Sequence, residues 1–137
     1  MTESNRKKLI DAALKARRLS YSPYSGFAVG AALMTDEGKI YTGTNIESAS
    51  FSPTVCAERV AFFSAIASGE RSFCAIAVVG GRANEEPSEA CPPCGVCRQV
   101  MTEFCTDGFE IILYDGKDIK IHTLSQLLPH RFDKNTI

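Results

Sequence analysis

SPTVCAERVAFFSAIASG, residues 52–69, followed four residues later by CAIAVVGG, residues 74–81, decides the fold. The first stretch places Pro53 where a helix start tolerates proline, repeats apolar residues at Val60, Phe63, Ile66 and Ala67, and ends on Gly69. That pattern predicts a buried helix. The second stretch is apolar without alternation, as in a central strand covered on both faces. A helix beside a doubly covered strand means layers on both sides of a sheet, and hence an α/β domain.

Upstream, residues 5–18 place Leu9, Ile10, Ala13, Leu14 and Arg17 at near-helical spacing, with Thr2 or Ser4 as N-cap, which predicts an amphipathic first helix with a basic end. FAVGAALMT (27–35) and KIYTGTNI (39–46) flank the turn signal DEG and read as a β-hairpin; the small residues of its first strand suit close packing from both faces. Downstream, RANEEPSEACPP (82–93) reads as a polar surface loop. A helix is expected near PCGVCRQVMTEFC (93–105), then short strands at FEIILYD (109–115) and KIHTL (120–124), and a last helical turn at SQLLP (125–129). The order predicts one domain over residues 1–137, a three-layer α/β/α sandwich with a mixed sheet of about five strands.

With 137 residues, 45% hydrophobic and 23% charged, and a formal net charge of -1, the chain carries neither a nucleic-acid-binding field nor a polybasic membrane patch. A small, near-neutral partner fits better. The N-terminus lacks the apolar core of a signal peptide, and no apolar run reaches the roughly 20 residues of a membrane span. A cytoplasmic location is therefore expected. In a reducing compartment, six cysteines point to metal binding or catalysis before disulfides.

Cys94 and Cys97 form C-x-x-C at an expected helix start, where residues three apart share a face and both sulfurs reach one ion. A thioredoxin-type redox pair is the rival reading, but such a motif would follow the first strand of its unit and would need no third cysteine. Cys56 is that third cysteine, also in the first turn of a helix after an extended stretch. Two helix N-termini facing each other would lower the thiol pKa values. Three cysteines so placed suit a catalytic zinc site with one open position, whereas a structural site takes four ligands; Cys91, in C-x-x-C-x-x-C, is the possible fourth sulfur. Cys74 and Cys105 read as small buried hydrophobes.

Glu58 bears on this choice. Residues two apart point about 200° apart in mid-helix, yet at the first turn, viewed end-on, Cys56 and Glu58 can face one site. A carboxylate there can relay protons of a metal-activated water, although a helix-start glutamate also simply complements the dipole. Arg59, three residues after Cys56, can hydrogen-bond the sulfurs and offset the net charge of minus one left by three thiolates and a dication. Arg98 either does likewise or lies at the surface.

TVCAER (54–59) with PCGVCRQ (93–99) resembles the zinc signature of the cytidine deaminases in their small homotetrameric form, and the resemblance runs from PYSGFAVGAAL (23–33) through NIESAS (45–50) to LLPHRF (127–132). It implies a cytidine deaminase-like fold, one zinc per chain on Cys56, Cys94 and Cys97, and conversion of cytidine and deoxycytidine to uridine and deoxyuridine in pyrimidine salvage. Zinc-activated hydroxide would be the nucleophile and Glu58 the proton shuttle. The backbone N–H of Ala57 would hold the base carbonyl, Phe27 would pack on the base, and Asn45 and Glu47 would bind sugar hydroxyls. Phe132 matches a tail aromatic that enters a neighbouring subunit's pocket, so a homotetramer with active sites completed by neighbouring chains is implied. Phe27 at a strand start also suits the core, and Tyr24 and Phe51 suit either subunit contacts or ordinary packing. His122 and His130 are assigned to structure or surface.

The long acidic loop 82–93 and Cys91 depart from that family pattern. Two other functions compete: a blasticidin-S-type aminonucleoside deaminase, against which Glu47 in NIE argues, and a noncatalytic zinc-stabilised domain. A polynucleotide-editing deaminase would need a basic strip that this chain lacks.

Overall fold

The apolar run at 74–81 lies in the middle strand of a five-stranded sheet. The computed structural model describes all 137 residues. Its elements are α1 (Glu3–Arg17), β1 (Phe27–Thr35), β2 (Ile40–Thr44), α2 (Ala57–Ala67), β3 (Phe73–Arg82), α3 (Gly95–Phe104), β4 (Glu110–Tyr114), β5 (Ile119–Thr123) and α4 (Leu124–Leu127). The strand order is β2-β1-β3-β4-β5. Only β3 and β4 pair in parallel; the other neighbours are antiparallel. Parallel neighbours need a crossover connection, and α3 supplies it.

Alternation along the inner strands makes two cores. Val29, Ala31 and Leu33 of β1, with Ile76 and Val78 of β3, pack under α2 and α3. Their neighbours Ala32, Met34, Ala75 and Val79 face α1. The layers are thus α1, the sheet, and α2 with α3, the three-layer sandwich expected from the element order. The cluster under α2 and α3 holds 16 buried residues against 9 under α1, so the helices that carry the thiols rest on the larger core.

The first helix is capped by Thr2, whose hydroxyl accepts from the Asn5 N–H at 3.1 Å. Arg17 does not face the core; its guanidinium donates to the carbonyls of Ala28 and Arg82 and ties the ends of β1 and β3 together. Arg6 pairs bidentately with Glu110, at 3.1 and 2.9 Å, and so fastens α1 to β4.

The face that α2 buries differs from the stripe expected at Val60, Phe63, Ile66 and Ala67. Ala57, Glu58, Ala61, Phe62 and Ala65 are buried, while Phe63 is 49% exposed. This helix is apolar almost all round, so periodicity alone does not select its inner side. Small alanines face the sheet because backbone meets backbone there: a Cβ on Gly43 of β2 would overlap the carbonyl oxygen of Ala57. Loop 82–93 is largely exposed, as expected, but Pro87 and Pro93 are buried within it. Pro87 rests against Gly116, where a side chain would collide with its carbonyl oxygen. No helix is long and apolar enough to cross a membrane.

Phe62 packs against Phe73, Phe104 and Phe109, with ring centroids 5.3, 6.3 and 6.0 Å away. Phe62→Ala is expected to lower stability by about 3–5 kcal/mol, whereas the exposed Phe63→Ala is expected to change it by only about 0.5 kcal/mol. Urea denaturation of the two variants checks the assignment of the inner face.

Candidate metal centre and substrate pocket

Cys56 and Cys94 are the N-cap residues of α2 and α3, and Cys97 sits in the first turn of α3. Both caps have extended backbone, and neither sulfur takes a capping hydrogen bond. The Sγ of Cys94 lies 3.7 Å from that of Cys56 and 3.5 Å from that of Cys97, and the three atoms are all within 4.8 Å of one another. All six cysteines are free thiols. Sulfurs held about 2.3 Å from one ion in a tetrahedral array stand roughly 3.8 Å apart. The trio therefore fits zinc as it stands.

The surroundings of Cys56 favour its thiolate. A hydrogen bond from Cys97, followed by the Arg59 guanidinium with Nη2 3.5 Å from the sulfur, draws the Cys56 thiol down to about 5. Cys97 is 1% exposed and is pushed up, because it keeps the proton it shares with Cys56. Arg59 thus touches a ligand sulfur, as its spacing suggested, and its buried Nε has no partner. Arg98 touches no sulfur: it donates to the Pro93 carbonyl at 2.8 Å and to the Leu127 carbonyl at 2.7 Å, fixing the residue before Cys94 against the end of α4.

Beside the sulfurs opens a cavity of about 360 Å³, within the usual range for small-molecule sites. Glu58 lines it, 4% exposed, and burial pushes its carboxyl up to about 7. A group poised there can both take and give a proton near neutrality. Ala57 also lines the cavity and opens α2, where the first backbone N–H groups have no intrahelical acceptor. Phe27, expected either on the base or in the core, is 41% exposed and lies on the cavity wall. A larger groove of about 520 Å³ runs between α1 and the β4–β5 edge, but the thiol cluster and the buried carboxylate are not part of it.

Asn45 and Glu47 also line the smaller cavity. Asn45 Oδ1 accepts from the Val29 N–H at 2.9 Å and the Ser20 hydroxyl at 2.5 Å, while Nδ2 donates to the Phe27 carbonyl at 2.8 Å. One amide N–H is left to donate. Glu47 Oε1 accepts from the N–H groups of Tyr24 and Ser25 at 3.0 and 3.1 Å, and Oε2 from the Ser25 hydroxyl at 2.5 Å. These bonds, that from the Ser25 hydroxyl foremost, hold its carboxyl below the usual range, ionised and ready to accept. Ser20 and Ser25 were missed in the sequence; the only signal was the hydroxyl-rich run SYSPYS at 20–25.

Cys91 lines the cavity but stands outside the sulfur trio, so a closed four-sulfur site is not formed. Burial pushes its thiol up to about 11, and a Cβ on Gly80 would come within 2.7 Å of its Sγ, so Cys91 packs directly on the backbone of β3. Cys74 lies against the carbonyl of Thr35, and burial raises the thiol of Cys105. Phe132 is 58% exposed and does not line the cavity of its own chain; its carbonyl accepts from Gln99 Nε2 at 2.8 Å.

The family model described as the cytidine and deoxycytidylate deaminase zinc-binding region matches residues 3–112. The cytidine deaminase of Sporosarcina psychrophila is 48% identical over 132 residues, which cover 96% of this chain and 93% of that protein. A crystal structure of cytidine deaminase from Burkholderia pseudomallei superposes with a TM-score of 0.85 at 45% identity, covering 96% of this chain and all of that one. A blasticidin-S deaminase of Bacillus cereus is 34% identical over 110 residues, 78% of each chain.

With three sulfurs as the complete ligand set, Cys97→Ser is expected to lose bound zinc, and Cys91→Ser to retain one zinc per chain. Atomic absorption on the purified variants separates a three-sulfur from a four-sulfur site.

Proposed function

The chain belongs to the cytidine and deoxycytidylate deaminase family, and on that premise we propose that it hydrolyses the exocyclic amine of cytidine and deoxycytidine, giving uridine or deoxyuridine and ammonia. The observation that carries this reading is a buried carboxylate, Glu58, lining the same cavity as the cluster of three sulfurs.

Cys56, Cys94 and Cys97 would hold the zinc. When bound, zinc lowers the pKa of a water molecule so that a nucleophile exists at neutral pH, and polarises the reacting centre. Glu58 takes a proton from the attacking water on its carboxylate and passes it to the ring nitrogen next to the carbon under attack. It then carries the second proton to the departing amine. The water oxygen becomes the new carbonyl oxygen, and nitrogen leaves as ammonia. Burial, which raises the Glu58 carboxyl to about 7, suits a group that must both take and give a proton. Arg59 offsets the negative charge of the sulfurs.

The base would lie against Phe27, with its carbonyl accepting from the Ala57 N–H. The sugar would meet Asn45 and Glu47. Their bonds to the scaffold leave Asn45 a donor and Glu47 an acceptor, a pair that matches a hydroxyl, which both accepts and donates. The same fit to a nucleoside sugar favours cytidine over blasticidin S. The reading extends to a role in pyrimidine salvage in the cytoplasm.

The reading extends to a homotetramer whose neighbours complete each site. Its support is the aromatic surface: Tyr24 and Phe51, edge to face with centroids 6.4 Å apart, are 53% and 71% exposed, and Phe132 is 58% exposed. Phe132 would close a neighbour's cavity.

Two measurements test the proposal. Glu58→Gln is expected to keep zinc and fold while losing roughly a hundredfold to ten-thousandfold in kcat, followed by the ultraviolet change of cytidine; retained turnover, or turnover of blasticidin S in preference to cytidine, would sink it. Phe132→Ala is expected to raise KM with the zinc content unchanged, and sedimentation is expected to report four chains.

A further inference from the structure

Residues 20–27 wrap around residues 45–47, and one side chain in the wrap links two walls of the cavity. Ser25 Oγ donates to Glu47 Oε2 at 2.5 Å and accepts from the Phe27 N–H at 3.0 Å. The direction is forced by the partners: a backbone N–H only donates and an ionised carboxylate only accepts, so the single hydroxyl proton points at Glu47. The Tyr24 and Ser25 N–H groups hold Oε1. Ser25 Oγ alone holds Oε2 among the hydrogen bonds of the fold. The last torsion of a glutamate is intrinsically broad, so with Oε1 anchored by the two N–H groups this contact sets where Oε2 lies.

We infer that Ser25 is a positioning residue for nucleoside binding, aiming the unused lone pair of Glu47 into the cavity while steadying the backbone of Phe27 at its rim. The inference rests on the sugar-binding role proposed for Glu47. Ser25 touches neither the sulfur trio nor Glu58 and is itself exposed, so its loss leaves the core and the metal ligands in place. Removing the hydroxyl frees Oε2 to turn; binding suffers and the chemical step does not.

The test is a double-mutant cycle on the zinc-loaded enzyme, with KM and kcat for cytidine measured for Ser25→Ala, Ser25→Thr, Glu47→Ala and the Ser25→Ala, Glu47→Ala pair. Ser25→Ala is expected to raise KM roughly threefold to tenfold, as loss of one hydrogen bond does, with kcat within about twofold. Ser25→Thr, which keeps the hydroxyl, is expected to restore KM. Glu47→Ala is expected to raise KM at least as far, and Ser25→Ala is expected to add nothing in that background. An equal effect of Ser25→Ala in both backgrounds, a fall in kcat at constant KM, or no effect at all overturns the inference. If Glu47→Ala leaves KM unchanged, the sugar-binding role of Glu47 fails first and the inference falls with it.

Discussion

Three thiols can share one point only because the first turns of two helices converge, although Cys56 and Cys94 are 38 residues apart in the chain. Like charges resist such a meeting. Two positive helix ends and the Arg59 guanidinium lower that resistance. The sheet sets the distance. β1 is thin, with Ala and Gly along much of its length, and the bare backbone of Gly43 lets the start of α2 lie directly on β2. A bulkier strand would hold the helix off and separate the sulfurs.

The same convergence explains the carboxylate. Glu58 follows Cys56 by two residues and is buried because the start of α2 is buried. Desolvation then holds its proton near the midpoint of neutral solution. The sulfur cluster and the buried carboxylate beside it are therefore consequences of one placement, and both rest on the larger of the two cores.

Much of this was legible in the sequence. Gly69 and the uninterrupted run at 74–81 marked the end of α2 and the central strand by local chemistry, and the element order followed; Pro53, expected at the helix start, lies in a turn ahead of α2, which begins at Ala57 because Val55 first bridges to Ile46. The convergence of three sulfurs was legible because each cysteine falls at a helix start. The inner face of α2 was not, since a helix apolar on every side offers no contrast for periodicity to read. Asn45 and Glu47 would have passed for loop residues without the family resemblance, because their meaning comes from contacts with residues some 20 positions away. Ser25 was invisible for a similar reason: one hydroxyl in a serine-rich stretch carries no sign of which carboxylate it will meet. Phe132 does not line the cavity of its own chain, and nothing in the residues around it in the sequence sets it apart from an ordinary exposed aromatic.

Loop 82–93 is pinned part way along. Residues 83–86 are exposed, whereas Pro87 is buried against Gly116 and Gly81, and Cys91 beyond it is packed on Gly80. Extra residues spliced in before Pro87 would bulge outward without transmitting their displacement to Cys94. That short span is where lineages can drift in length, or an engineer can graft an epitope, while the ligands downstream keep their register.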